Sequence, residues 1–298
     1  MLKEEKVLDT KINTGYTLNS AVMQIETLVK TKTFGHYICT TNPEFIMDCQ
    51  KDLAFRNIVN HADLSLPDGI GVLLAIEYER RLGLYQKYKG TLVYPILAFM
   101  TGIGVGIDTV IHPETLATPI PGVNLTESVC KLCAEKGLTL FVLGGRAKNF
   151  FGKTTSSSPD VASAASTTLQ HRYPNINIVG ATSQFNRTEN DDVASVAYIK
   201  QCMSQQGIDH IDILLVAYNH VYQEKWIARN AALVPATVSI GVGGTLDYMT
   251  GIKRQSPLIA TKRNLGWLFR LITQPWRFKR IFNAFPLFPL HVYMESLH

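Results

Sequence analysis

Short apolar runs recur along the chain, each closed by proline, asparagine or glycine, and segments of helical periodicity separate them. HYICTTN (36–42) has the β-branched and aromatic content of a buried strand and runs into Pro43, a good first residue for a helix. Phe45, Ile46, Cys49, Leu53, Ile58 and Val59 then recur at helical spacing and predict one helix. DLSLP predicts a second strand and GVLLAIEYERR a second helix. LTLFVLGG (138–145), NINIVG (175–180), DILLVAYN (212–219) and TVSIGVGG (237–244) continue the series, with helices near 159–172, 191–206 and 223–233. Strand, turn and helix in repetition predict an α/β fold: a Rossmann-like, mostly parallel sheet with helices on both faces. Such sheets bind ligands at the carboxyl ends of their strands. The turns there carry Thr40, Asn42, Asp68, Gly144, Gly145, Asn219, Gly243 and Gly244.

Two segments interrupt the pattern. The first half of GKTTSSSPDVASAAS (152–166) reads as a flexible loop. GTLVYPILAFMTGIGVGI (90–107) is uncharged for 18 residues, at the lower edge of a spanning helix. Pro95, Gly102, Gly104 and Gly106 argue against a regular helix there. A helical hairpin lying on or dipping into a membrane and a buried insertion stand level, both ahead of a true span. The expected organisation is a Rossmann-like domain over 1–250, with an insertion at about 86–118, and an appendage over 251–298.

Charge sharpens the reading of that appendage. The net charge of +5 is uneven: eight basic residues and no acid lie between Lys253 and Arg280. Among them stand Trp267, Phe269, Leu271, Trp276, Phe278, Ile281 and Phe282. Rings entering the acyl boundary and guanidiniums meeting lipid phosphates make this an expected interfacial helix pair on anionic lipid. A helix with its basic face simply solvated is the other reading. Nucleic acid is not expected, because base stacking uses platforms rather than this many bulky aliphatics. The five cysteines and the lack of an apolar leader lead to an expectation of reduced thiols in the cytoplasm. Cys130 and Cys133 have CxxC spacing but fall inside a helical pattern and read as small packing residues. No histidine shows metal-ligand spacing.

Asp68 alone, in Pro-Asp-Gly, would be a turn former. Its neighbours change that. TTNPEF, LPDGIG, LFVLGG, RYPNINIVG, DILLVAYNHVYQEKWI, IGVGGTLDYMTGIKRQSP and LGWLFRLITQPWRFKR occur in the order and spacing that resemble the WecG/TagA/CpsF glycosyltransferases, family 26. The resemblance implies inverting, metal-independent and cofactor-free transfer of a sugar, N-acetylmannosamine-type above all, from a UDP-sugar donor. The implied acceptor is a polyprenyl-diphosphate-linked N-acetylglucosamine, in cell-surface polysaccharide or teichoic acid synthesis. The implied location is peripheral, on the cytoplasmic face of the cell membrane; a homo-oligomer is left open.

The resemblance assigns Asp68 as the base that deprotonates the acceptor hydroxyl, with Gln223 contacting substrate and Thr40 and Asn42 hydrogen-bonding sugar or acceptor. Gly144, Gly145, Gly243 and Gly244 would let the backbone approach the nucleotide, beside Asn219. Asp247 would hold the ribose or order its loop. Arg263, Arg270, Arg277 and Arg280 would meet the diphosphates as negative charge grows on the leaving UDP.

Three departures mark this chain. Asn219 and Val221 stand where the family has glycine and proline, and asparagine tolerates left-handed backbone. Pro119 replaces an arginine implicated in catalysis, and the insertion is long. They motivate the alternative of a non-catalytic nucleotide-sugar-binding or scaffolding homologue.

Overall fold

A computed structural model describes residues 2–112, 117–145, 160–252 and 282–298. The strands β1 (Lys3–Val7) and β2 (Thr10–Thr14) form an antiparallel hairpin. The strands β3 (His36–Thr41), β4 (Leu64–Pro67), β5 (Thr139–Gly144), β6 (Asn177–Thr182), β7 (Ile211–Ala217) and β8 (Ala236–Gly241) build a six-stranded parallel sheet in the order β4-β3-β8-β7-β5-β6. Each corresponds to one of the apolar runs read from the sequence.

Strand alternation explains the layering. Leu140, Val142, Ile213, Leu215, Val238 and Ile240 face one core, while Phe141, Leu143, Leu214 and Val216 face the other. The first core is covered by α1 (Leu18–Lys30), α6 (Gly122–Lys136) and α7 (Val161–Arg172). The second is covered by α8 (Asp192–Gln205) and α9 (Tyr222–Asn230), with Trp226 at its centre. A strand buried on both faces tends to be apolar on both, so β7 reads as a nearly continuous apolar run over 213–217, whereas β8 is buried throughout with Thr237 and Ser239 on one face. In α6, Cys130 and Cys133 are packing residues: burial pushes the Cys130 thiol up to about 12 and Cys133 higher still.

The segment expected to form one helix after β3 is two, α2 (Pro43–Lys51) and α3 (Leu53–His61). Asp52 leaves the helical region at φ −131° and caps α3 by accepting from the Phe55 amide at 3.0 Å. Its other carboxylate oxygen takes Lys225 of α9, which holds the carboxyl below the usual range. A local cap and a long-range ion pair together outweigh the continuity of the apolar stripe.

After α4 (Ile70–Leu82), residues 90–107 depart from expectation. From residue 94 onward they fall in one regular helix, α5 (Tyr94–Ile111), rather than a broken hairpin. Pro95 sits in its first turn, where a missing N–H costs nothing. Tyr94, Ala98, Val105 and Thr109 are buried, and α5 packs against α4 and against α11 (Phe288–Ser296). That last helix also returns to the fold: Phe288 and Val292 are buried, and Tyr78 Oη lies 2.8 Å from Ser296 Oγ.

The hairpin carries little signal in the apolar pattern, whereas α1 has an apolar stripe with Ala21, Ile25 and Val29 buried and was not among the expected elements. The hairpin lies against the outer side of β4, where Asn13 Oδ1 accepts the Ser65 amide at 2.7 Å and Asn60 Oδ1 accepts that of Lys11 at 2.8 Å.

Candidate functional site at the carboxyl edge of the sheet

Chain direction defines a crevice. From β5 the chain moves outward to β6, whereas from β7 it moves the other way to β8, so α7 and α9 lie on opposite faces. Ligands of open parallel sheets bind where such a reversal parts the helices. Thr40, Asn42, Asp68, Asn219, Gly243 and Gly244 are half-buried at this edge, and Gly145 joins them beside β7. From the β4 end to the β5 end is four strand spacings, roughly 19 Å, a span that suits an elongated ligand.

Asp68 is fixed by its backbone. Its amide donates to the Thr41 carbonyl at 2.8 Å, tying the end of β4 to the end of β3. Thr41 Oγ1 and Ser65 Oγ are 2.7 Å apart one step below. Gly69 then adopts φ +101°, which only glycine takes without strain, and turns the chain into α4. Beyond the insertion, the Ile120 amide donates to the Pro67 carbonyl at 2.9 Å, so Pro119 is brought beside this strand end. Thr40 Oγ1 lies under the first residue of α6, where a Cβ on Gly122 would approach it to 3.1 Å. Asn42 spends its Oδ1 on capping α2, accepting from the Phe45 amide at 3.1 Å.

Gln223 is 3 % exposed, and both ends of its amide are engaged. Oε1 accepts the Gly243 amide at 2.8 Å, and Nε2 donates to Glu224 Oε1 at 2.7 Å. It thus bolts the turn after β7 to the turn after β8. The bolt needs Gly241, because a Cβ there would stand 2.5 Å from both Gln223 Nε2 and Glu224 Oε1. Glu224, whose sequence position reads as a structural first-turn acid, is fully buried. Its Oε2 has no hydrogen-bond partner among the described residues, and desolvation pushes its carboxyl up to about 7. Only its place directly after Gln223 hints at this in the sequence.

The glycine turns are occupied by the protein itself. Gly145 N–H donates to the Ala217 carbonyl at 3.0 Å, and Ser183 Oγ donates to the Gly144 carbonyl at 2.8 Å. A Cβ on Gly144 would press into the Tyr218 ring at 2.8 Å. These residues shape the crevice, and Ser183 is a part of it that no motif announced. Asp247 is buried in α10 (Thr245–Met249). Arg263, Arg270, Arg277 and Arg280 lie outside the described residues.

A neighbouring cleft of about 400 Å³ opens between α2 and the β7–α9 turn, lined by Glu44, Asp48, Arg187, Asn219, His220 and Tyr222 among others. His220 Nε2 sits 2.9 Å from Asp48 Oδ2, and the Arg187 guanidinium lies 3.8 Å from the Tyr222 ring centre. The turn is conformationally demanding: Asn219 has φ +68° and Val221 φ +71°. A β-branched residue there is an outlier of the kind that clusters at ligand sites.

A family model described as the glycosyl transferase WecG/TagA/CpsF family matches residues 5–97 and 96–298. The chain is 26% identical over 262 residues to the N-acetylglucosaminyldiphosphoundecaprenol N-acetyl-beta-D-mannosaminyltransferase of Bacillus subtilis (strain 168), spanning 88% of this chain and 80% of that protein. It is 24% identical over 275 residues to the protein of the same name from Staphylococcus aureus (strain NCTC 8325 / PS 47), spanning 91% and 86%.

Proposed function

Because the chain belongs to the WecG/TagA/CpsF glycosyltransferase family, we propose that it transfers N-acetylmannosamine from a UDP-sugar to N-acetylglucosamine carried on polyprenyl diphosphate. The relatives' names supply the sugar and the lipid-linked acceptor. The observation that carries the mechanism is Asp68, held at the carboxyl end of β4 by its own amide and the turn at Gly69.

Asp68 takes the proton of the acceptor hydroxyl as that oxygen attacks the anomeric carbon. The new carbon–oxygen bond forms opposite the breaking bond to the UDP oxygen, so the configuration inverts and UDP departs with the electron pair. The crevice between β5 and β7 takes the nucleotide, along the edge from the reacting carbon. Gln223 acts as a positioning residue that fixes the loop at Gly243. Charge on the departing diphosphate is met by the appendage arginines without a metal ion, at the cytoplasmic face of the membrane.

Pro119 beside Asp68 favours a second reading, a homologue that binds nucleotide sugar and no longer turns it over. UDP release measured across a panel of UDP-sugars, with a lipid-diphosphate N-acetylglucosamine acceptor, separates the two. Acceptor-dependent release with the N-acetylmannosamine donor is the expected result. UDP binding without release from any donor would establish the second reading.

A further inference from the structure

We propose that the outward face of α5 is a lipid-docking surface, on which the helix lies along the membrane rather than across it. The helix has two apolar faces. Its inner face is held by α4 and α11 through Tyr94, Ala98 and Val105, and Arg81 of α4 pairs with Asp108. A helix clamped in this way cannot stand alone across a bilayer. Its outer face exposes Ile96, Phe99, Met100, Ile103, Ile107 and Val110, spaced along one side of the helix. Leu92, 95% exposed, precedes it, and Leu290 and Met294 of α11 flank it.

The composition of this face selects lipid over a second protein. Gly104 and Gly106 meet no atom of the described residues within 4 Å at the position of an added Cβ. In water, open helical glycines each weaken a helix by about 1 kcal/mol relative to alanine. In an apolar interface the backbone has no water to bond, and glycine is tolerated in helices. The segment before the helix exposes Tyr85, Lys87, Tyr88 and Lys89, with Lys87 Nζ 5.0 Å from the centre of the Tyr88 ring. Tyrosines at headgroup depth and lysines reaching phosphates are the expected margin of such a surface. The lipid-linked acceptor, which rests on the function proposed above, supplies the reason to be there: Ala117 to Pro121, which lead out of the insertion, run past the strand end that carries Asp68.

The test uses the full chain and vesicles of phosphatidylglycerol and phosphatidylethanolamine. In 1 M salt, which screens the basic appendage, the Ile96→Asp, Ile103→Asp double variant should bind roughly 30-fold or more weakly than the parent, with an unchanged melting temperature. An environment-sensitive dye on Ile103→Cys should shift to the blue when vesicles are added. Equal binding of parent and double variant, or an unshifted dye on bound protein, overturns the proposal. A lipid-free dimer abolished by the same two substitutions overturns it in favour of a second copy of the chain. Turnover of an acceptor with a short, soluble tail should be the same in both proteins; failure of the parent on that acceptor would count against the glycosyl transfer, while the vesicle result would stand by itself.

Discussion

The amide of Ile120 donates to the carbonyl of Pro67 at 2.9 Å, which lays Pro119 alongside the strand end that carries Asp68. A neutral, donor-free residue thus borders the candidate base where the family resemblance places an arginine. Pro119→Arg should raise the rate of acceptor-dependent UDP release by about tenfold, or about 1.4 kcal/mol of barrier. Steady-state kinetics on the two proteins check this; an unchanged kcat would assign the missing cation elsewhere.

Asp68→Asn keeps the shape of the turn and removes the proton acceptor. Turnover should fall by about two orders of magnitude or more, while UDP affinity measured by calorimetry stays within a factor of about three. Retained turnover would remove Asp68 from the mechanism.

Glu224 gives a pH dependence with a defined sign. Its carboxyl, near 4.5 when unfolded, rises to about 7 in the fold through desolvation. Between those values the native state holds a proton that the unfolded state has released. The stability it contributes is complete below pH 4.5 and is lost as pH climbs through 7, by about 3 kcal/mol at most. Glu224→Gln should flatten this slope and be more stable than the parent at about pH 8, as read by urea unfolding across pH. A variant equally steep with pH would contradict the assignment.

Gly241→Ala drives a methyl group into the Gln223–Glu224 pair at 2.5 Å. A buried clash of this kind costs about 1–3 kcal/mol, and here it also loosens the loop at Gly243. Thermal unfolding should show a drop of several degrees, accompanied by weaker UDP binding. Gly83→Ala, where an added methyl group meets nothing and φ is −52°, serves as the control for glycine replacement without a clash.

All five cysteines are buried, and burial raises the Cys49 thiol to about 12. The native protein should therefore react slowly with a thiol reagent such as Ellman's, and all five should appear at once in denaturant. A fast-reacting thiol in the native state would show that one of these helices opens.

The parallel sheet was legible in the sequence because short apolar runs closed by turn residues alternate with helical segments, and β7, apolar over 213–217, is the clearest of them. Asp68, Asn219 and Gly243 were legible as strand-end residues for the same reason. The roles of Gln223 and Asn42 were not, because hydrogen bonds to the Gly243 amide and the Phe45 amide are a property of folded geometry. The break between α2 and α3 rests on the Asp52 cap reinforced by Lys225, and Lys225 lies far away in the chain. The regularity of α5 was hidden for the opposite reason: its glycines argue locally against a helix that α4 and α11 then support. The hairpin is polar on its outer side and short, so it has almost no hydrophobic period to read.

That hairpin bears on how copies of the chain can meet. An open β-strand is a template on which a second chain can add a strand, and β4 would be such a template. With Asn13 already bonded to the Ser65 amide, this flank of the sheet is finished, and β-augmentation there is closed. Strand addition is left to the outer sides of β6 and β1, and a fusion partner that prises the first fourteen residues away would reopen a sticky margin next to Asp68.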